Sequence, residues 1–213
     1  MTDEHIMQTL ADVGAIITDS HVVYTSGRHG TAYVNKDALF LHPRVIEQLS
    51  GTMAQAYNAD EIDVVAGPTV GGVILSQWIA WHLTVRRTDG GETLAVFAEE
   101  EGEGDARRRI FKRGYDLQLP GKRVAVVEDI LTTGGSARKV IAAVREIGGQ
   151  VIGLSAICNR GGITAADMDD IPIHALTSVT LESWPATDCP MCQAGVPVNT
   201  QVGKGRAFLA EQH

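Results

Sequence analysis

Cysteine is scarce: Cys158, Cys189 and Cys192 are the only three in 213 residues. That is too few, and too uneven a spacing, for a disulfide-stapled secreted fold. No apolar run is long enough to span a bilayer, and the opening MTDEHIMQTL carries acids where a secretory signal has a basic region. No membrane segment is therefore expected, and a cytoplasmic location is. Positive charge is also in deficit, the formal net charge being −8, which argues against broad nucleic-acid binding. What remains is a globular composition, 44% apolar and 21% charged, of a length that suits one α/β domain with an N-terminal extension.

The chain is organised around VAVVEDILTTGGS, Val124 to Ser136. Its apolar start is what a strand buried on both faces requires, and burying it fixes Glu128 and Asp129 at the strand's end. Leu131, Thr132, Thr133, Gly134, Gly135 and Ser136 follow, and then the helical pattern Ala137 to Ile147. Glycines let backbone N–H groups close around an anion, the hydroxyls add donors, and a helix N-terminus adds a favourable dipole. Acids beside a phosphate cradle make sense when sugar hydroxyls or a hard cation such as Mg2+ lie between. The implied ligand is a sugar phosphate.

Elsewhere, Ile6, Leu10, Val13 and Ile17 have near-helical spacing over residues 3–17, which predicts an amphipathic helix ending around Gly14 or shortly after. Val22 and Tyr24, then Tyr33 and Val34, predict two short strands joined by the turn Ser26 to Gly30. Pro43 to Ala59 predicts a helix. Ile62 to Ala66 predicts a strand, Gly67 to Gly72 a glycine loop that an anion can approach closely, and Val73 to Leu83 an apolar helix. Leu94 to Ala98 predicts a strand. After it, acids Glu99 to Glu103 and basic Arg107, Arg108, Arg109, Lys112 and Arg113 predict a mobile charged excursion. Val151 to Asn159 predicts a strand delivering Arg160, whose fork suits a carboxylate. Ile171 to Leu176 predicts another, with Val179 to Leu181 continuing the edge. Cys189 and Cys192 have metal-ligand spacing, but one CxxC supplies two ligands where tetrahedral zinc takes four, so a packed or dimer-facing turn is expected ahead of the alternative, structural zinc.

The Glu128 to Ser136 segment resembles the phosphoribosyl-diphosphate signature of type I phosphoribosyltransferases, and SGRHGTAY together with Arg160 is similar to orotate phosphoribosyltransferases. The resemblance implies a mostly parallel twisted sheet with helices on both faces. It implies a single domain over 1–213, with an N-terminal hood over about 1–40 and a CxxC-containing tail over about 185–213. The implied activity is transfer of ribose 5-phosphate from phosphoribosyl diphosphate to orotate in pyrimidine biosynthesis, with Mg2+ and a homodimer.

Catalytic roles are implied for Glu128, Asp129 and Arg109. Phosphoribosyl-diphosphate contacts are implied for Glu128, Asp129, Ile130, Leu131, Thr132, Thr133, Gly134, Gly135 and Ser136, and for the diphosphate loop Gly67, Pro68, Thr69, Gly71 and Gly72. Orotate contacts are implied for Thr132, Arg160, Arg28 and Lys36. No residue is assigned as a direct Mg2+ ligand. The chain departs from the family at Thr25, where a lysine often stands before the serine, and at Glu100, where a loop lysine is expected. Two rivals remain: a purine phosphoribosyltransferase, and a weakly catalytic sensor of phosphoribosyl diphosphate.

Overall fold

The computed structural model describes residues 1–24 and 26–211; Thr25 lies outside the described residues. Two compact units are present, Pro43–Val179 and a second built from Thr2–His42 with Thr180–His213.

The second unit begins with α1 (Asp3–Asp12), where the Thr2 hydroxyl accepts the His5 N–H at 3.3 Å and Asp3 and Glu4 face the helix dipole. Ile6 and Leu10, four apart, are its buried stripe. The helix stops before Gly14, which takes φ +70°, and Ile17 lies in β1 (Ile16–Ile17) instead of extending the stripe. Next, β2 (Val22–Val23) pairs antiparallel with β3 (His29–Gly30), and β4 (Tyr33–Val34) pairs with β1. The predicted pairing of Val22–Tyr24 with Tyr33–Val34 is corrected by the turn. The Tyr24 N–H donates to the Arg28 carbonyl at 2.8 Å, so the returning strand begins at His29. The short α2 (Lys36–Leu39) completes this segment.

The Pro43–Val179 unit opens with α3 (Pro43–Ala54), with proline at its first position, where no N–H is needed. It ends before the predicted Ala59, which instead starts a short 3-10 turn. There follow β5 (Val64–Pro68), α4 (Gly71–Arg86), β6 (Leu94–Glu101), β7 (Arg108–Ile110), β8 (Arg123–Leu131), α5 (Gly135–Glu146), β9 (Gln150–Asn159) and β10 (Ile173–Ser178). They form a six-stranded sheet in the order β10-β9-β8-β5-β6-β7, parallel except for β7. The chain runs from β5 outward to β6 and then returns to the opposite side of β5 as β8. Strand direction of travel therefore reverses between β5 and β8, and loops at such a switch point form a binding crevice.

Val64, Ala66, Val124 and Val126 pack on Val140, Val144 and Leu154 in the core beneath that crevice. In α5 the buried positions Ala137, Val140, Ile141 and Val144 recur at helical spacing, which seats the helix on the sheet.

The tail returns to the terminal unit, where β11 (Ser183–Trp184) pairs with β3, α6 (Pro190–Gln193) carries the CxxC and α7 (Gly205–Ala210) follows. Val179 to Leu181 do not continue the large sheet; β11 is the strand that forms, and it joins the small one. Among the described residues no helix is long and apolar enough to cross a membrane.

Candidate functional site: two glycine loops and an acid pair

Glu128 and Asp129 sit within β8, two residues before its end, and are 7% and 5% exposed. The sequence places them at the strand's end; the structure carries the strand on to Leu131, with both acids buried inside it. The Asp129 carboxylate accepts the Ile130 N–H at 2.7 Å, and the Glu128 carboxyl accepts the Asp129 N–H at a longer 3.3 Å. Burial, and then the charge of Asp129, push the Glu128 carboxyl up to about 8. Such a pair favours ligands that bring hydroxyl protons or a cation.

Directly after β8, Leu131 to Gly134 turn into α5, and these residues with Glu128, Gly135, Ser136 and Ala137 line a hollow of about 160 Å³. The turn depends on Gly134: φ is +70°, and a Cβ there would lie 2.1 Å from the Met168 methyl. Its neighbour is the β9 terminus, because the N–H groups of Arg160 and Gly161 both donate to the Leu131 carbonyl, at 2.8 and 2.9 Å. Half-buried Arg160 is thereby tied to the start of the TTGG loop. Gly161 permits this approach, since a Cβ would meet the Thr132 carbonyl oxygen at 1.6 Å.

The Gly67 to Gly72 loop is shorter than predicted, because β5 continues to Pro68 and α4 begins at Gly71. Gly67 and Gly72 pack backbone on backbone; a Cβ on Gly67 would come within 2.6 Å of the Gly72 Cα. Thr69 and Val70 are left at the carboxyl end of β5, beside the strand that carries the acids, and the Thr69 N–H donates to the Ala98 carbonyl at 3.1 Å.

Arg109 connects the two loops. Its guanidinium donates to the Thr69 hydroxyl at 2.9 Å and to the Ser136 hydroxyl at 3.4 Å, and its side chain is only 10% exposed. The charged excursion that carries it is an ordered antiparallel hairpin, in which Glu99, Glu100 and Glu101 of β6 stand opposite Ile110, Arg109 and Arg108 of β7. Acidic and basic runs that read in the sequence as a mobile charged excursion thus neutralise each other across a ladder. Glu100, at the expected lysine's position, lies 3.6 Å from Arg109 and 3.5 Å from Arg107.

Arg28 and Lys36 belong to the other unit. There Arg28 donates to the Ser183 hydroxyl at 2.9 Å and also to the Ser183 carbonyl, and Lys36 is 3.8 Å from Asp37. Sequence reasoning missed Thr69's link to Arg109 and the role of Met168 behind Gly134, because neither has a local signal. It also missed His21 and His29, which the fold brings to the tail cysteines.

An anion cradle beside buried acids at the switch point of a parallel sheet defines a nucleotide- or sugar-phosphate-handling protein, and the chain belongs to the phosphoribosyltransferase family, whose domain model, "Phosphoribosyl transferase domain", matches residues 35–184. Within that family it is similar over nearly its whole length to proteins named orotate phosphoribosyltransferase. The one from Thermoanaerobacter sp. (strain X514) is 33% identical over 200 residues, covering 93% of this chain and 96% of the relative. That from Pelotomaculum thermopropionicum is 36% identical, covering 92% and 95%. The solved orotate phosphoribosyltransferase of Aeropyrum pernix shares the fold at TM-score 0.64 and 20% identity, covering 82% of this chain and 93% of that one.

Proposed function

We propose that the protein transfers ribose 5-phosphate from phosphoribosyl diphosphate to orotate, yielding orotidine 5-phosphate and diphosphate, as a cytoplasmic homodimer in pyrimidine biosynthesis. The observation that carries this is Arg109 spanning Thr69 and Ser136 beside the buried Glu128–Asp129 pair. It supports a ligand with phosphate at both ends and a polyol between. The relatives' names support orotate as the acceptor.

In the reaction the bond from the anomeric carbon to the diphosphate oxygen breaks with its electron pair leaving on diphosphate. A ring nitrogen of orotate forms the new bond, and its proton passes to water or diphosphate. Thr132 to Ser136 hold the 5-phosphate, and Glu128 and Asp129 accept from the ribose hydroxyls, so the anomeric carbon is oriented before the bond breaks. Gly67 to Gly72 present backbone to the diphosphate, and Arg109 takes up its developing charge. Arg160 reads the orotate carboxylate bidentately, with Thr132 beside it.

The acid pair suits Mg2+, which favours one or two carboxylates completed by substrate oxygens and water. Bound in that way, the ion would neutralise diphosphate charge. Exposed Trp81 and Val85 on α4 supply apolar surface for a second copy, which light scattering would detect.

The test follows orotate absorbance with phosphoribosyl diphosphate and Mg2+, comparing the parent with Asp129→Asn. The expected result is Mg2+-dependent loss of orotate that falls by at least about 100-fold in the variant. Orotate that persists, while calorimetry still shows phosphoribosyl diphosphate binding, would sink the orotate assignment in favour of a purine acceptor or a sensor.

A further inference from the structure

The tail cysteines are not an isolated pair. His21 and His29, 2% and 0% exposed, reach the same point as Cys189 and Cys192, and the four candidate ligand atoms all lie within 4.8 Å of one another. His21 Nε2 is 3.6 Å from each sulfur and 2.9 Å from His29 Nδ1, which is 3.3 Å from Cys192 Sγ. A tetrahedral ion with bonds of about 2.0–2.3 Å to nitrogen and sulfur needs ligand-to-ligand edges of roughly 3.3–3.8 Å. Three of these four distances already fall in that range, and the histidine pair needs to open by only a few tenths of an ångström.

The chemistry of the individual groups agrees. His21 Nδ1 lies 2.7 Å from the Val196 carbonyl, which can only accept, so Nδ1 carries the proton and Nε2 turns a lone pair toward the sulfurs. A ligating imidazole held through its other nitrogen in this way is the usual supporting contact at a metal. His29 is fixed by the strand pairing of β3 with β2 and β11 and by a T-shaped contact with Phe208. Cys192 is exposed, giving an ion a route in, whereas Cys189 is fully buried. The terminal unit also needs a staple, since it joins two short segments from opposite ends of the chain around strands of two residues each.

We propose that His21, His29, Cys189 and Cys192 form a structural zinc site, fixing the tail to the β2–β3 hairpin. Two thiolates and two imidazoles in a tetrahedron select Zn2+ among the common divalent ions, and four protein ligands leave no open position for chemistry. Nothing in this assignment depends on which base the other unit uses.

The test is made on the full chain purified under reducing conditions from zinc-supplemented medium. Mass spectrometry of the metal content should find one zinc per chain. Co2+ added after chelation should give the visible bands of a tetrahedral ion and a thiolate charge-transfer band, and chelation should lower the melting temperature. Cys189→Ser with Cys192→Ser should abolish all three signals. Because that variant can lose its fold, Cys192→His serves as the second arm: it keeps four ligands, and should retain zinc with the thiolate band weakened by about half. A parent chain without zinc and without tetrahedral Co2+ bands would overturn the proposal. So would full zinc content in the double serine variant, or a Cys189–Cys192 disulfide as the form isolated under those conditions.

Discussion

At the scale of single residues, Glu128 combines a stability cost with a binding role. Its folded-state pKa is raised by burial and by Asp129, so the folded chain keeps a proton that the unfolded chain, near 4.5, gives up. Stability therefore falls as pH rises from about 4.5 toward the raised value of about 8. Glu128→Gln removes that loss. It should melt higher than the parent by at least about 1 kcal/mol at pH 8, with a smaller difference at pH 5, while losing phosphoribosyl diphosphate binding. Calorimetric melts at the two pH values check this, and a difference independent of pH would refute it. Glu100, 3.6 Å from the Arg109 guanidinium, competes with an incoming anion for it. Glu100→Gln is expected to lower the KM for phosphoribosyl diphosphate about two- to fivefold, the scale of a partly exposed ion pair. A raised KM would mean that Glu100 positions the arginine instead of competing for it.

At the scale of elements, the loops after β8 and β9 act as one piece because Gly161 lets them touch. Gly161→Ala puts a methyl into the Thr132 carbonyl, so one backbone must move; a stability loss of about 1–3 kcal/mol and a larger fall in phosphoribosyl diphosphate affinity are expected. Denaturant melts with binding calorimetry measure both, and unchanged affinity would separate the two loops functionally. Elements whose apolar pattern is continuous were legible in the sequence: β8, β9, α4 and α5 stand close to where hydrophobic runs and glycines put them. The acid pair and TTGGS were legible too, since their chemistry is local. The β6–β7 ladder was not, because its stabilising contacts are charge pairs seven or more residues apart, and a charge run carries no period. The strand pairings of the terminal unit were misread for a similar reason: two-residue strands offer no alternation from which to set a register. His21 and His29 gave no sign of metal ligation, the cysteines they meet lying more than 160 residues away.

At the scale of the whole molecule, the Pro43–Val179 sheet is clamped opposite its functional edge by Asp63, which precedes β5, and Arg123, which opens β8. The guanidinium donates to the carboxylate at 2.9 and 3.1 Å, and the Arg123 N–H adds 2.8 Å. These bonds hold the Asp63 pKa down to about 2. A depressed folded-state pKa contributes stability above the ordinary aspartate value of 3.8 that is lost as pH falls through about 2. Asp63→Asn should cost on the order of 1 kcal/mol at pH 7, allowing for solvent screening of a partly exposed pair, and much less near pH 2. Acid titration of stability for both chains reads the difference, and a gap undiminished at pH 2 would assign the loss to packing. The terminal unit raises a different matter, the order of synthesis. Its first strands leave the ribosome long before β11 and the residues that hold them at His21 and Val23, among them Asn199 and Lys204. A nascent chain can complete the Pro43–Val179 sheet while its earliest segment is still without its partners. The first part made is thus among the last to be finished, and a ribosome stalled short of β11 displays a folded sheet attached to an incomplete hood.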